Sequence, residues 1–194
     1  ALAETGVTAI AYETVTSDLE PLPLLSPMSE IAGQLAFVVG SNYLLKHNMG
    51  VGKLLGYSNE LDSAIVTVVG AGAAGKQAIL KAVANGAHVK IIDLSAQKLT
   101  ELESEFGSSN IEYIKSSPAT ILAAVKQTDL LIGAVYVVGK TAPKVFSVDM
   151  IKAMKPGSVF VDISIDQGGC SETSKPTTHD NPIYVFEDVV HYCV

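Results

Sequence analysis

From about residue 64 onward, short apolar runs alternate with amphipathic stretches. The apolar runs predict strands at Ala64–Val69, Ala87–Ile92, Ile111–Ile114, Leu130–Ala134 and Ser158–Ile163, with a last one at Val189–Val194. Between them, apolar positions recur at helical spacing and predict helices near Ala74–Asn85, Ala96–Phe106, Pro118–Gln127 and Val148–Met154. Strands that are apolar throughout, separated by helices, imply an α/β fold, a doubly wound parallel sheet covered on both faces. Upstream, a helix tail runs into Val7–Tyr12, which reads as a buried strand, and Pro21, Pro23 and Pro27 keep the next segment extended. Ser26-Pro27 has the form of an N-cap with proline in the first turn. Ile31, Leu35, Val38, Asn42 and Leu45 fall at helical spacing, which predicts a long helix reaching about His47. The glycine-rich stretch Asn48–Gly56 separates that helix from the alternating part. The pattern thus divides the chain into a strand and long helix over 1–47 and one doubly wound domain over 48–194.

Polar punctuation falls at a consistent place. Gly70, Asp93, Ser116, Val135 and the Asp162–Asp166 segment all lie at or just after the carboxyl ends of predicted strands. In an open doubly wound sheet those ends share one edge, where ligands bind, so five loops converge on one crevice.

The first of these loops carries the most information. Gly70-Ala71-Gly72-Ala73-Ala74-Gly75 directly follows Ala64–Val69, and Asp93 ends the next apolar run. Strand, glycine turn, helix, strand and terminal acid form one dinucleotide-binding unit of the Rossmann type. Gly70 serves the tight turn, Gly72 lets backbone approach a pyrophosphate, and Gly75 lets the helix pack close to the strand. The helix N-terminus offers free N–H groups and partial positive charge to phosphates. A carboxylate at position 93 accepts hydrogen bonds from ribose hydroxyls and repels a 2′-phosphate, so the expected cofactor is NAD rather than NADP. Lys98 stands either near the same ribose or as a solvated lysine on the next helix.

Composition narrows the partners. The 194 residues are 48% apolar and 17% charged, enough for a buried core. A net charge of −7 provides no basic face for nucleic acid or an anionic membrane. The most apolar helix candidate, Ile31–Leu45, is interrupted by Gln34, Ser41 and Asn42 and is too short and polar to span a bilayer. No secretory signal is visible. Cys170 and Cys193 match no metal spacing and read as reduced structural thiols of a cytoplasmic protein. All 13 basic residues are lysines, so this chain cannot hold a carboxylate substrate with a bidentate guanidinium.

Two further loops are candidate walls of the crevice. In Ile163-Ser164-Ile165-Asp166-Gln167-Gly168-Gly169-Cys170, the Asp166 carboxylate either activates a water or orients an amine, or simply caps its own loop as an Asx-turn. Asp162, on the strand itself, reads as structural. Gly133–Gly139, which includes Ala134 and Val135, is small and apolar enough for the flat face of a nicotinamide, or is an ordinary buried strand entering a turn. His179 and His191 lack the partners of a metal site or a catalytic constellation.

Ala9-Ile10-Ala11-Tyr12-Glu13-Thr14-Val15 and Leu22 to Gly33, with Val68 to Gly72, Asp129 to Val135, Ala142-Pro143-Lys144, Met154 to Val159, Ile165 to Cys170, Pro176 to Asp180 and His191 to Val194, resemble one known family, the bacterial alanine dehydrogenases. The first two strings resemble that family's inter-domain segment, which implies that 1–47 is an inter-domain strand and linking helix, part of a truncated second domain. The resemblance implies NAD-dependent, reversible oxidative deamination of L-alanine to pyruvate and ammonia by a two-domain, homohexameric enzyme. It implies that Ser29 contacts the cofactor from the linking helix and that Asp93 binds the adenosine ribose. It further implies that Lys98 and Ser116 flank the adenosine, that Val135 and Val145 line the cleft, and that Asp166 is the catalytic acid. The segments that supply the family's substrate-holding arginine, lysine and histidine are absent, as is an Asn-Met-Pro segment after Val194. The chain is therefore expected to be the cofactor-binding half of such an enzyme, inactive alone. The rival readings are the NAD-binding subunit of a proton-pumping transhydrogenase and a non-catalytic NAD-sensing module.

Overall fold

The computed structural model describes residues 4–19, 21–56 and 63–194. It contains five α-helices and seven strands among those residues, in the order α1 (Ser26–Tyr43), β1 (Ile65–Val69), α2 (Ala73–Ala84), β2 (His88–Asp93), α3 (Ala96–Phe106), β3 (Ile111–Lys115), α4 (Pro118–Val125), β4 (Leu130–Gly133), α5 (Val148–Lys152), β5 (Val159–Asp162), β6 (Ile183–Phe186) and β7 (Val189–Tyr192). The strands form one sheet in the order β3-β2-β1-β4-β5-β7-β6, parallel except for the β6–β7 hairpin. Chain order reverses between β1 and β4, which is the switch point of a doubly wound sheet.

The strands are apolar throughout because both faces are covered. Val66, Val68, Ile91 and Ile132 point into a core shared with Phe37 of α1, Ile79 of α2 and Leu102 of α3. Val69, Ile92, Leu131 and Phe160 point the other way, onto Ile121 and Val125 of α4 and Ile151 of α5. At the amino-terminal edge, the buried Asp129 accepts from the Ile65 N–H at 2.9 Å and pairs with Lys53 at 3.2 Å and Lys155 at 2.9 Å. The network ties the starts of β1 and β4 to the segments that precede β1 and β5.

Helix α1 is seated by two glycines. A β-carbon on Gly33 would stand 1.9 Å from the Ala74 carbonyl oxygen, so the backbones of α1 and α2 touch there. One on Gly40 would stand 2.4 Å from Leu130. Absence of side chains thus places α1 directly over the start of α2.

Four sequence expectations are corrected. Val7–Tyr12 is not a strand: among the described residues it pairs with no strand, and Val7 and Ile10 are exposed while Tyr12–Thr14 forms a 3-10 turn. An apolar run becomes a strand only by finding a ladder partner, and no sheet edge among the described residues pairs with it. Ser26 is the first residue of α1 rather than its N-cap; its hydroxyl donates to the Leu22 carbonyl at 3.0 Å, and Leu25 holds the cap position. Helix α1 ends at Tyr43 rather than near His47, where a separate 3-10 turn, Lys46–Asn48, closes the segment. Strand β6 has no counterpart among the strands the sequence pattern predicts. Residues 1–3 of the expected opening helix tail lie outside the described residues.

Candidate functional site

The carboxyl ends of β2, β1, β4 and β5 open into one cavity of about 630 Å³. Gly70, Gly72, Ala73 and Ala74 form its floor; Asp93, Lys98 and Ser116 stand at one end. Ala134, Val135, Val145 and Asp166 stand at the other, and Ser29 reaches in from α1. Every predicted site residue except Gly75 therefore lines a single space.

The three motif glycines do three different things. Gly70 has φ +93°, and a β-carbon there would lie 2.4 Å from the Ala134 carbonyl oxygen, so the turn presses against the end of β4. Gly75 is buried and does not line the cavity; its β-carbon would lie 1.8 Å from the Gly70 carbonyl oxygen, which makes it the packing glycine beneath the turn. Around Gly72 nothing lies within 4 Å of where a β-carbon would sit. That open cradle adjoins the first turn of α2, which no side chain caps, so its free N–H groups point into the space. An anionic group fits there, stabilised by the helix dipole.

Asp93 is fixed by the turn it faces. Its Oδ2 accepts the Ala71 N–H at 2.8 Å and its Oδ1 accepts the Ser95 N–H at 2.8 Å. Each oxygen keeps a lone pair for a hydroxyl donor in the cavity. Lys98 Nζ stands 3.7 Å from Oδ2 and lines the cavity as well, while its side chain on α3 stays partly exposed, so both of its sequence readings fit this placement. Ser116 is held at the same end by its N–H, which donates to the Asp93 carbonyl at 2.9 Å.

At the other end, the two aspartates of the post-β5 loop separate into distinct roles. Asp162 is buried and accepts from the Ser164 N–H at 3.0 Å, the Cys170 N–H at 2.8 Å and the Ser174 hydroxyl at 2.5 Å. It makes the Asx-type bond that Asp166 was a candidate to make. Asp166 sits in the 3-10 turn Ile165–Gln167, exposed to the cavity, and its carboxylate carries no hydrogen bond or ion pair among the described residues. Lys144 Nζ clamps the loop from outside, donating to the carbonyls of Gly168 at 2.5 Å and Gly169 at 2.9 Å. Burial, and then the Asp162 charge, push the Cys170 thiol beneath this loop well above its ordinary pKa. Cys170 is therefore an inert packing group.

His179 and His191 lie outside the cavity. His191 is fully buried, hydrogen bonded to Thr173 Oγ1 at 2.9 Å and stacked on Tyr184 at 4.8 Å between ring centroids. Burial lowers its pKa. His179 is exposed. Among the described residues no group of three or more His, Cys, Asp or Glu could hold a metal ion, and no helix is long and apolar enough to cross a membrane.

Sequence reasoning missed Tyr12, Met28 and Gln167, which also line the cavity. The Tyr12 hydroxyl reaches Met28 Sδ at 3.7 Å, so the opening segment folds over the crevice instead of entering a sheet. Gln167 follows Asp166, and its Oε1 is buried with no hydrogen-bond partner among the described residues. A glycine pair after a strand tip was the available signal for that loop, but it does not tell which neighbouring side chain turns inward.

Comparison with known proteins identifies the family and the fold. The family model described as "Alanine dehydrogenase/PNT, C-terminal domain" matches residues 36–194. An alanine dehydrogenase of Halomonas elongata is 46% identical over 193 residues, covering 100% of this chain and 52% of that protein. A solved L-alanine dehydrogenase superposes with TM-score 0.91 at 44% identity, covering 100% of this chain and 53% of that one. A transhydrogenase from Sinorhizobium meliloti superposes with TM-score 0.74 at 24% identity over 87% of this chain and 48% of its own, a likeness of fold alone. The chain spans about half the length of the curated relatives it matches.

Proposed function

The chain belongs to the alanine dehydrogenase/PNT family through its C-terminal domain, and from that premise we propose that it is the NAD-binding part of an L-alanine dehydrogenase. The full protein would convert L-alanine, water and NAD⁺ to pyruvate, ammonium, NADH and a proton, reversibly. The observation that carries this reading is the cavity itself: an acid at the tip of β2, an open glycine cradle at the start of α2, and a carboxylate free of partners beyond β5.

The residues divide along the dinucleotide. Asp93, with Lys98 and Ser116 beside it, would hold the adenosine ribose. Gly70, Gly72, Ala73 and Ala74 would hold the pyrophosphate by backbone N–H groups, with Gly75 supporting the turn from below. Ser29, Ala134, Val135 and Val145 would enclose the nicotinamide half. Bound nicotinamide supplies the hydride chemistry; the protein supplies position and charge. Asp166 would stabilise cationic charge developing on the substrate and orient or deprotonate the attacking water, a contribution of roughly 10²–10⁴-fold. Asp93 also favours NAD over NADP, since its charge opposes a 2′-phosphate.

Beyond the chemistry, the proposal takes residues 1–47 as the inter-domain segment and 48–194 as the nucleotide-binding domain. It takes the whole enzyme as a cytoplasmic homohexamer acting on a small-molecule substrate. The test is turnover of the full-length protein with L-alanine and NAD⁺. Asp166→Asn keeps the shape and removes the charge, so it should lower kcat by orders of magnitude while leaving NADH affinity nearly unchanged. Near-normal turnover of that variant would reduce Asp166 to a turn residue.

A further inference from the structure

We infer that Lys144 is a positioning residue for Asp166: its ammonium fixes the glycine pair behind that carboxylate and so sets where the carboxylate stands in the cavity. The inference deepens the proposed function and rests on its reading of Asp166. Asp166 lines the cavity with a carboxylate that carries no hydrogen bond or ion pair among the described residues. Its place is therefore set by the backbone that carries it.

That backbone is held from several sides. Asp162 accepts the N–H groups of Ser164 and Cys170, which fixes the two ends of the loop. Inside it, the Ser164 carbonyl accepts the Gln167 N–H at 3.0 Å and the Gly169 N–H at 2.9 Å, and the Ile165 carbonyl accepts the Gly168 N–H at 3.0 Å. Gly168 and Gly169 follow at φ +93° and +76°, and consecutive glycines are the least constrained dipeptide of the loop. Lys144 Nζ holds this dipeptide by its carbonyls, at 2.5 Å from that of Gly168 and 2.9 Å from that of Gly169. Both are charge-assisted bonds, stronger than neutral ones.

Lys144 is itself carried by the cavity wall. Pro143 and Val145, on either side of it, line the same space as Asp166. The Ala142 N–H donates to the Gln167 carbonyl at 2.9 Å, and the Val145 N–H donates to the Cys170 carbonyl at 2.8 Å. The ammonium bridges the stretch between these two bonds, so wall and turn form one unit. A catalytic group held this way keeps its distance from whatever the wall encloses, and small misplacements of such groups are expensive in rate. The Lys144 side chain is exposed, so its replacement leaves no hole in the core.

The test is a double-substitution cycle in the full-length protein, with Lys144→Met and Asp166→Asn. Methionine keeps the apolar stem and removes the ammonium. Lys144→Met should speed amide hydrogen exchange over residues 165–169, lower kcat with L-alanine and NAD⁺ by about ten- to a hundredfold, and leave the calorimetric affinity for NADH within about twofold. In the Asp166→Asn background the same change should alter kcat by less than about twofold, because the group it positions is already gone. Lys144→Arg keeps a cation with several N–H donors and should recover most of the lost turnover. Unchanged exchange or near-normal kcat in Lys144→Met overturns the inference. So does an equal loss of kcat in both backgrounds, which leaves the reading of Asp166 intact. Near-normal kcat in Asp166→Asn alone overturns that reading and the role of Lys144 with it.

Discussion

The Asp162 carboxylate accepts the backbone N–H of Cys170 at 2.8 Å, and that bond closes the loop on which Asp166 is carried. The same carboxylate takes the Ser164 N–H at the loop's other end. Asp162→Asn would turn one acceptor oxygen into a donor facing N–H or hydroxyl donors. It should cost about 2–3 kcal/mol, the scale for a charged group in a buried hydrogen-bond network. Urea denaturation of wild type and variant measures it; a change within ~0.5 kcal/mol contradicts the closing role.

Gly72 and Gly75 should separate binding from folding. Gly72 has φ −75° and open space around its α-carbon, so Gly72→Ala should keep stability within ~1 kcal/mol yet weaken NADH binding at least about tenfold, because the methyl enters the cradle. Gly75→Ala places its methyl 1.8 Å from the Gly70 carbonyl oxygen and should destabilise the fold by roughly 1–3 kcal/mol or more. Calorimetry and denaturation, run on both variants, check the pair. Equal effects on stability would contradict the assignment.

How much of this was legible in the sequence depends on where the determining contact lies. Gly70, Gly72, Gly75 and Asp93 sit in one local strand–turn–helix–strand pattern, and their placement followed from it. Gly33 and Gly40 carried no such signal, because their purpose is set by Ala74 and Leu130, distant in the chain. The β6–β7 hairpin escaped because its two-residue turn is Glu187-Asp188, at φ 48° and 60°, without the Asn-Gly or Asp-Gly that normally marks positive φ. Val7–Tyr12 misled for the opposite reason: the composition fits a strand, but no strand among the described residues pairs with it.

Both cysteines should resist thiol reagents in the folded protein. Each is buried; burial raises the Cys170 thiol well above its usual range and the Cys193 thiol to about 11. A disulfide reagent such as DTNB at about pH 8 should label neither until denaturant is added. Rapid labelling of Cys170 without unfolding would show that the loop above it opens.

Stability should decline in mild acid partly through His191. Burial holds its folded pKa below the ordinary 6.5, so the unfolded chain binds this proton more readily than the folded one. The contribution is complete above pH 6.5 and is lost as pH falls from there through the folded value. Comparing urea midpoints at about pH 7.5 and 5.5 in wild type and His191→Gln isolates it. The variant should show a flatter pH dependence, and an unchanged slope would contradict the assignment.

The central claim is that the cavity is built for NAD, with Asp93 reading the adenosine ribose. Calorimetric titration of the full-length protein with NADH and NADPH tests it most directly. NADH should bind about tenfold or more tightly, and Asp93→Gly should weaken NADH while narrowing the gap, since the ribose acceptor and the repulsion of the 2′-phosphate disappear together. Equal affinity of the unmutated protein for the two dinucleotides would contradict it.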